Sequence, residues 1–254
     1  MQAAEPLGDT VDGTDAGESL RGGDGDDLIL GRGGADTLRG RGGDDTVDGG
    51  AGDDLVYLDG GHDRLIGGGG VDTLRIEPSK TYSVAIDLAA GTAIARSTDT
   101  VDGFENVSCG DGHDFVAGDG AANLLSGGEG ADTLSGADGA DTLVGGRGAD
   151  RLSGGAGADT FLFGASDRLK VSDLIEDLQR DDVIDLSAID ADRRAPGNQA
   201  FHLVEEYSGA RGELALQWAP DEGVTYLLAQ VGIGDPDVVI VLLGKHDHFP
   251  GLVL

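Results

Sequence analysis

An aspartate recurs at one fixed place in a nine-residue repeat that runs through much of this sequence. In residues 49–57, Gly-Gly-Ala-Gly-Asp-Asp-Leu-Val-Tyr, it is Asp54, the sixth residue of the repeat. The sixth residue is Asp in twelve of fifteen repeats, and Glu18, Glu105 and Asn123 take its place in the other three. A carboxylate beside a tight loop of main-chain carbonyls supplies hard oxygen donors, which are the ligands that Ca²⁺ takes in proteins. The spacing therefore predicts a series of divalent-cation sites.

Two further columns of the repeat indicate the elements that must position these aspartates. The fourth residue is Gly in twelve repeats and the eighth is apolar in all fifteen. A single inward apolar residue between outward neighbours predicts a three-residue strand, and the glycine-rich segment before it predicts a turn with positive φ. A short fixed period of this kind indicates stacked repeats. The apolar residues are Val11, Leu20, Ile29, Leu38, Val47, Val56, Leu65, Leu74, Val107, Val116, Leu125, Leu134, Leu143, Leu152 and Phe161.

The register of the repeat divides the chain into four parts. Repeats fill residues 4–75 and 100–162, and residues 76–99 break the period with alternating polarity, which predicts a strand-turn-strand insert. Over residues 163–254 glycine becomes rarer and longer alternating segments appear, which predicts an antiparallel β cap with turns at residues 220–223 and 234–237. Such a cap would cover the open end of the stacked strands.

The charge of the chain limits its partners and its folding. With 48 acidic and 17 basic residues the net charge is -31, which argues against nucleic acid or an anionic membrane as a partner. One apolar side chain in each repeat is too little to offset the ordering of nine residues, and stacked carboxylates would repel each other. We therefore expect the arrays to fold only with bound cations and to be disordered without them.

Motifs for other chemistry are missing from the sequence. His62, His113, His202, His246 and His248 show no His-Glu-x-x-His spacing, and there is neither a Gly-x-Ser-x-Gly nor a Gly-Lys-Ser/Thr motif. His246 and His248 would share one face of a strand, where a zinc site is conceivable but exposed surface histidines are the favoured interpretation. We therefore expect no enzymatic activity in this chain.

Three further features bear on compartment. Cys109 is the single cysteine, so an internal disulfide is excluded, and a buried or turn position is favoured over a reactive thiol. Met1–Leu7 has neither a basic nor an apolar region, so no cleaved secretory signal is expected. The apolar run Val238–Leu243 is too short to span a bilayer and predicts a buried strand.

The repeat Gly-Gly-x-Gly-x-Asp-x-apolar-x, seen in residues 49–57 and 127–135, resembles that of the RTX (repeats-in-toxin, haemolysin-type) calcium-binding proteins. The resemblance implies an all-β fold, a right-handed parallel β-roll in which two repeats make one turn. It also implies that several Ca²⁺ ions lie between successive turns on both sides of the roll. Leu7 and Ala16 replace the fourth-position glycine in the first two repeats, which departs from the pattern of the family.

The resemblance also implies which residues bind the ions. The sixth-position ligands form four columns: Asp27, Asp45 and Asp63; Asp36, Asp54 and Asp72; Asp114, Asp132 and Asp150; and Asn123, Asp141 and Asp159. The main-chain carbonyl ligands lie in the first four positions, and they include Gly23, Gly25, Gly34, Gly43, Gly50, Gly52, Gly70, Gly128, Gly130, Gly139, Gly146, Gly148, Gly155 and Gly157. Acidic residues outside the columns, such as Asp24, Asp44, Asp53 and Asp111, are interpreted as solvated charge.

Residues 157–161, 182–187, 198–201 and 212–214 resemble the C-terminal region of serralysin-type proteases. In that family the region ends in an uncleaved signal that a type I secretion apparatus recognises. The resemblance therefore implies export through such an apparatus and an extracellular location. The tail of residues 248–254 lacks the acidic residue with which the family commonly closes.

Three functions are compatible with these patterns. The first is a secreted calcium-binding module, the C-terminal part of a larger exported protein. The second is a carbohydrate-binding or processing accessory, since similar rolls accompany alginate epimerases and lipases; it needs an exposed aromatic or basic groove, yet aromatic residues are only 4% of the chain. The third is a structural surface or adhesion protein.

Overall fold

The computed structural model describes residues 8–77, 81–164, 172–189, 202–203, 208, 210, 213–230, 238–246 and 252–253. Regular secondary structure within these ranges consists of strands alone. Among the same residues, no helix with the length and apolar character of a membrane span is found. The chain forms two compact units, Met1–Asp119 and Gly120–Leu254. Parallel strands dominate both units, which confirms the predicted fold class, a parallel β-roll with an antiparallel cap.

The strands of the first unit are short, and most contain three residues because a single apolar residue anchors each one. They are β1 (Thr10–Asp12), β2 (Ser19–Arg21), β3 (Leu28–Leu30), β4 (Thr37–Arg39), β5 (Thr46–Ala51), β6 (Leu55–Tyr57), β7 (Arg64–Gly69), β8 (Thr73–Arg75), β9 (Ala85–Asp87), β10 (Thr92–Ile94), β11 (Thr98–Asp102), β12 (Asn106–Ser108) and β13 (Phe115–Ala117).

Successive strands of the first unit alternate between two sheets. Strands β1, β3, β5 and β7 pair in parallel in one sheet, and β2, β4, β6, β8 and β12 do so in the other. Val11 is in register with Ile29, and Ile29 with Val47, so that equivalent residues of neighbouring strands are two repeats apart. Two repeats therefore make one coil, with one strand in each sheet.

The eighth-position side chains of the first unit form the core between its two sheets. From Ile29 to Val116, each side chain in this position is 1% exposed or less. Val11 and Leu20 are only partly buried, because β1 and β2 lie at the end of the described sheets. Each fully buried aliphatic side chain contributes about 1.5–3 kcal/mol to folding.

Residues 76–99 interrupt one sheet of the first unit and leave the other continuous, since β8 pairs directly with β12. In the interrupted sheet β9 and β10 form an antiparallel hairpin, and β10 pairs antiparallel with β11. Strand β11 then pairs in parallel with β7, with Val101 in register with Leu65. The last strand of the interruption therefore begins at Thr98 and already follows the roll. The four domain boundaries drawn from the sequence stay a prediction.

The second unit contains the remaining strands of the described chain. They are β14 (Leu124–Glu129), β15 (Thr133–Ser135), β16 (Asp138–Gly139), β17 (Thr142–Arg147), β18 (Arg151–Ser153), β19 (Ala156–Gly157), β20 (Thr160–Leu162), β21 (Asp173–Ile175), β22 (Val183–Asp185), β23 (His202–Leu203), β24 (Glu213–Ala219), β25 (Val224–Ala229), β26 (Val238–Leu243) and β27 (Leu252–Val253).

The second unit joins a parallel roll to an antiparallel cap. Strands β14, β17, β20, β22 and β27 pair in parallel, as do β15, β18 and β21. Strand β26 extends the second group, and β25 and β24 follow it in antiparallel pairing. The predicted turn at residues 220–223 connects β24 to β25, and Val238–Leu243 is the buried strand expected. The turn predicted at residues 234–237 lies outside the described residues.

Leu124 and Leu125 in β14 provide a matched test of the core. Leu125 is fully buried, whereas Leu124 beside it is 42% exposed. We expect Leu125→Ala to lower the free energy of unfolding by about 2–5 kcal/mol, because it opens a cavity between the sheets. We expect Leu124→Ala to change it by about 0.5 kcal/mol or less. Denaturant unfolding at one fixed concentration of divalent cation measures both values, and equal losses would contradict the inward assignment of the eighth position.

Candidate metal centre

The first six residues of each repeat form the loop segment between the apolar triplets of successive strands, and the backbone conformation of this segment is unusual. Arg32, Arg41 and Ala137, each second in its repeat, have positive φ angles of 78°, 89° and 82°. Side chains other than Gly rarely adopt this region, and the conformation costs about 1–3 kcal/mol at each such residue. These three residues keep it although the repeat has lost its glycine there. The stacking of successive loops therefore imposes the loop conformation.

Main-chain carbonyls of one loop point at the loop of the next coil. At Gly148, where φ is 145°, a Cβ atom would overlap the carbonyl oxygen of Gly130, its equivalent in the preceding coil. The same relation holds at Gly52, whose Cβ position is filled by the carbonyl oxygen of Gly34. Carbonyl oxygens are thus packed between successive loops, at the place where the sequence predicts cations.

The sixth-position side chains lie beside these carbonyls and are almost completely buried. Each is 4% exposed or less, although eleven of the twelve are aspartates. The set comprises Asp27, Asp36, Asp45, Asp54, Asp63, Asp72, Asp114, Asn123, Asp132, Asp141, Asp150 and Asp159. Burial of an isolated carboxylate is costly, so such columns require compensation along their whole length.

One carboxylate oxygen links most of these aspartates to the preceding coil. The Oδ1 atom of Asp45 accepts a hydrogen bond from the main-chain N–H of Asp27 at 2.8 Å, and Oδ1 of Asp63 accepts one from Asp45 at 2.9 Å. In the other column of the first unit, Oδ1 of Asp54 and that of Asp72 accept the equivalent bonds. In the second unit the same contact joins Asp132 to Asp150, Asn123 to Asp141, and Asp141 to Asp159.

Asp114 makes the same contact with a different donor. Its Oδ1 atom accepts the main-chain N–H of Val84 at 2.9 Å. Val84 immediately precedes β9, so the donor belongs to the interruption of the repeat and not to a regular coil. Asp114 is therefore buried by the insert.

The other carboxylate oxygen shows that the columns fit a cation. Within the described residues, the buried Oδ2 atoms of Asp36, Asp45, Asp54, Asp72 and Asp159 have no hydrogen-bond donor. At Gly49, the first residue of its repeat, a Cβ would overlap Oδ2 of Asp54 and lie 2.5 Å from the carbonyl oxygen of Gly67. A buried anionic oxygen without a donor loses its hydration and gains nothing in return. A cation between the loops would supply the missing partner.

The composition of the donor set favours calcium. In the described part of the chain, no three His, Cys, Asp or Glu side chains converge as a metal site. The candidate sites instead combine one carboxylate from each coil with main-chain carbonyls, all of them hard oxygens. Ca²⁺ takes six to eight such ligands in flexible geometry, whereas transition metals prefer nitrogen and sulfur.

Burial and mutual repulsion raise the pKa values of several aspartates in the columns. The pKa of Asp63 is raised from 3.8 to about 7, mainly by burial and to a lesser extent by the neighbouring carboxylates of Asp99 and Asp45, although the hydrogen bond from the N–H of Asp45 opposes the shift. For the same reasons the pKa values of Asp45 and Asp72 are raised to about 6. With no cation bound, the columns would therefore hold protons at mildly acidic pH.

Three aspartates that the sequence analysis missed continue the columns. Oδ1 of Asp99 accepts the N–H of Asp63 at 2.8 Å, and Oδ1 of Asp173 and that of Asp182 accept the N–H groups of Asp150 and Asp159. Each precedes a buried apolar residue by two positions (Val101, Ile175 and Ile184). The pair Asp-x-apolar was the available signal, but the surrounding glycines are absent.

Two acidic residues outside the columns make hydrogen bonds that were not predicted from the sequence. The side chain of Asp44 accepts the main-chain N–H of His62 at 2.7 Å, and that of Asp53 accepts the N–H of Val71 at 2.9 Å. Both side chains are exposed, as the interpretation as solvated charge requires, but they also form hydrogen bonds between successive coils. Asp24 is exposed, as expected.

Comparison with known proteins places this geometry in context. The family model described as "Peptidase M10 serralysin C terminal" matches residues 17–253. The R3 subunit of the mannuronan C5-epimerase AlgE6 of Azotobacter vinelandii shares 32% sequence identity over 50% of this chain and 68% of that structure, with a TM-score of 0.40. The extracellular lipase LipA of Serratia marcescens shares 19% identity over 98% of this chain and 40% of the lipase, with a TM-score of 0.34. No curated protein matches the sequence.

The raised pKa values predict that, when a chelator removes divalent cations, the stability of the fold decreases as the pH rises. A carboxyl group with a higher pKa in the folded chain stabilises the fold below its unfolded pKa of 3.8, and this contribution is lost as the pH rises through about 6 to 7. We therefore expect more β signal in far-UV circular dichroism at about pH 5 than at about pH 8.

Asp63→Asn should weaken this pH dependence, whereas Asp24→Asn should leave it unchanged, because Asp24 is exposed. Sedimentation velocity at each pH separates folding from aggregation near the isoelectric point of about 4.1. A β signal that grows from about pH 5 to about pH 8 in chelator would contradict the prediction.

Proposed function

Because the chain belongs to the family described as peptidase M10 serralysin C terminal, we propose that it is a secreted calcium-binding RTX module that folds as Ca²⁺ binds after type I export. In this proposal it forms the C-terminal part of a larger exported protein and carries no catalytic centre of its own. Its partners are Ca²⁺ and, during export, the secretion apparatus; nucleic acid and membrane insertion play no part.

The observation that carries the proposal is the row of buried carboxylate oxygens without donors. Oδ2 of Asp36, Asp54 and Asp72 recurs from coil to coil in one column of the first unit, and Asp45 provides the same atom in the other. Beside each column, carbonyl oxygens face the neighbouring loop, such as that of Gly34 in one column and that of Gly43 in the other. Turn formation alone would leave the aspartates at the surface, where water could solvate both oxygens.

Bound Ca²⁺ would supply positive charge between two carboxylates that otherwise repel each other. The residues of this chain supply the rest. The first-position glycines let Oδ2 approach the carbonyl of the next loop, and Oδ1 is held in place by a main-chain N–H. Each ion would join two coils, so binding stabilises the stack by linkage to folding.

Dependence on calcium suits a protein that is exported unfolded. A net charge of -31 keeps the chain expanded where free calcium is scarce, which favours passage through a secretion channel. Outside the cell, Ca²⁺ is present at millimolar concentration, which is at or above the dissociation constants typical of extracellular calcium modules, about 10⁻⁴–10⁻³ M. The chain would then fold after export, and the folded chain could not pass back through the channel.

A specific feature favours glycan binding as a second candidate function. Arg21, Arg39, Tyr57 and Arg75 follow one another in register across β2, β4, β6 and β8, on the outward side of the sheet. The Arg39 guanidinium lies 3.9 Å from the centre of the Tyr57 ring, and it also pairs with Glu77 at 2.5 Å. Such a basic and aromatic row is the kind of groove that the accessory role requires.

The first test is a calcium titration followed by far-UV circular dichroism. In chelator at neutral pH we expect the spectrum of an unfolded chain, and millimolar Ca²⁺ should convert it to β. Asp45→Ala and Asp54→Ala should each raise the calcium midpoint by about tenfold or more, the scale of losing a metal partner. Asp24→Ala is the matched control, because Asp24 is an exposed aspartate of the same array.

Equal effects of the three variants would contradict the assignment of the columns, and a β spectrum that ignores chelator would contradict calcium-dependent folding. The second candidate is tested separately by a glycan-binding screen in calcium, with Arg21→Ser as the variant. Binding of uronate chains that this variant weakens would favour the accessory role. Absence of binding in the wild type would exclude it.

A further inference from the structure

The end of the hairpin insert contains two buried oxygen atoms that nothing in the repeat pattern predicts. Within the described residues, Oδ2 of Asp99 and Oγ of Ser97 are buried and have no hydrogen-bond partner. Asp99 is fully buried, although the sequence places it at the edge of an insert and not in a repeat. Two unsatisfied polar oxygens two residues apart require a ligand or an energetic cost.

The strand geometry places Asp99 on the inner side. In β11 the burial alternates, with Asp99 and Val101 buried and Thr98, Thr100 and Asp102 exposed. Ser97 lies in the bend that leads into β11, and its Oγ atom is buried two residues before Asp99.

Asp99 stands at the end of an established column. Its Oδ1 atom accepts the N–H of Asp63 at 2.8 Å, as Oδ1 of Asp63 accepts the N–H of Asp45 at 2.9 Å. The sequence separation to Asp63 is 36 residues, twice that of a regular coil. The hairpin is therefore looped out, and Asp99 occupies the place of the next sixth-position aspartate.

A comparison with Asp182 shows what a column position looks like when the protein itself satisfies it. Oδ1 of Asp182 accepts the N–H of Asp159 at 3.1 Å, and its Oδ2 atom accepts the N–H of Gln179 at 2.6 Å. Both oxygens are thus hydrogen-bonded at that end of the column. The Oδ2 atom of Asp99 has no such donor in the described chain.

The neighbouring histidine narrows the class of ligand. Nδ1 of His62 lies 3.1 Å from the carbonyl oxygen of Thr98, and since a carbonyl only accepts, this nitrogen carries the proton and donates. Nδ1 is then not available to a metal, whereas Nε2 keeps its lone pair; in the described part of the chain, however, no three His, Cys, Asp or Glu side chains converge around it. The atoms of the site that lack a partner are a carboxylate and a hydroxyl oxygen. This set suits a hard divalent cation rather than zinc.

We propose that Asp99, together with Ser97, binds an additional Ca²⁺ ion at the end of the column of Asp27, Asp45 and Asp63, at a site that the hairpin insert provides outside the nonapeptide repeats. The proposal rests on the proposed function, because it extends a column whose other members bind Ca²⁺. It means that the insert interrupts the repeat in sequence and continues it as an ion-binding structure.

The test is a count of bound Ca²⁺ per chain by equilibrium dialysis with radioactive calcium, for the full chain and three variants. Asp99→Asn removes the charge and should bind one ion fewer while the β signal in circular dichroism is retained. Ser97→Ala removes a neutral donor and should weaken one site by about tenfold or more. Asp102→Asn is the matched control, since Asp102 is an exposed aspartate of the same strand, and it should behave as the wild type.

The outcomes separate this site from the general proposal. A wild-type chain that binds no calcium would overturn the proposed function and this site with it. A wild type that binds several ions, with Asp99→Asn and Ser97→Ala unchanged in number and affinity, would overturn this site alone. If Asp99→Asn does not fold, Ser97→Ala decides, because loss of one hydroxyl leaves the hydrogen bond between Asp63 and Asp99 in place.

Discussion

The constraint on which the fold depends is the burial of one carboxylate above another at every coil. In the first unit Asp27, Asp45 and Asp63 are each 4% exposed or less and are joined by hydrogen bonds through their Oδ1 atoms. These bonds satisfy one oxygen and one N–H, but they also hold like charges close together. Burial and repulsion raise the pKa of Asp63 to about 7, because both disfavour the charged form of the carboxyl group.

The strands and the loops contribute different interactions to the fold. Each strand contributes one buried apolar residue, such as Leu38 or Leu143, and hydrogen bonds to equivalent strands on either side. Each loop contributes oxygen atoms without an apolar core of its own. Because the loops connect strands that pair in register, the spacing of the loops follows that of neighbouring strands, about 4.8 Å. Regular stacking of the strands is therefore what turns isolated carboxylates into continuous columns.

The periodic part of this arrangement could be predicted from the sequence and the aperiodic part could not. A period of nine residues with a fixed Asp and a fixed apolar position predicts the strand, the loop and the inward face together. The register that puts Asp45 and Asp54 in different columns was implied by the resemblance to RTX repeats, in which two repeats make one turn. The positions of Asp99, Asp173 and Asp182 in the columns were not predicted, because the glycines that mark the loops are missing around them and long-range strand pairing brings them into place. The return of the chain at Thr98 likewise depends on pairing with β7, which no local pattern encodes.

The end of the roll in the second unit shows how side chains of the protein can take the place of a further loop. At the last loop of the second unit, Asp177 accepts hydrogen bonds from the N–H groups of Gly154 and Gly155 and from the hydroxyl of Ser153. The amide of Gln179 donates to the carbonyl of Gly155, and its N–H satisfies Asp182. Side chains of the cap thus take the positions in which the next coil would have placed its loop. A repeat array can end in this way only where the sequence stops repeating, because regular coils such as those of Asp45 and Asp54 leave a buried carboxylate oxygen without a donor.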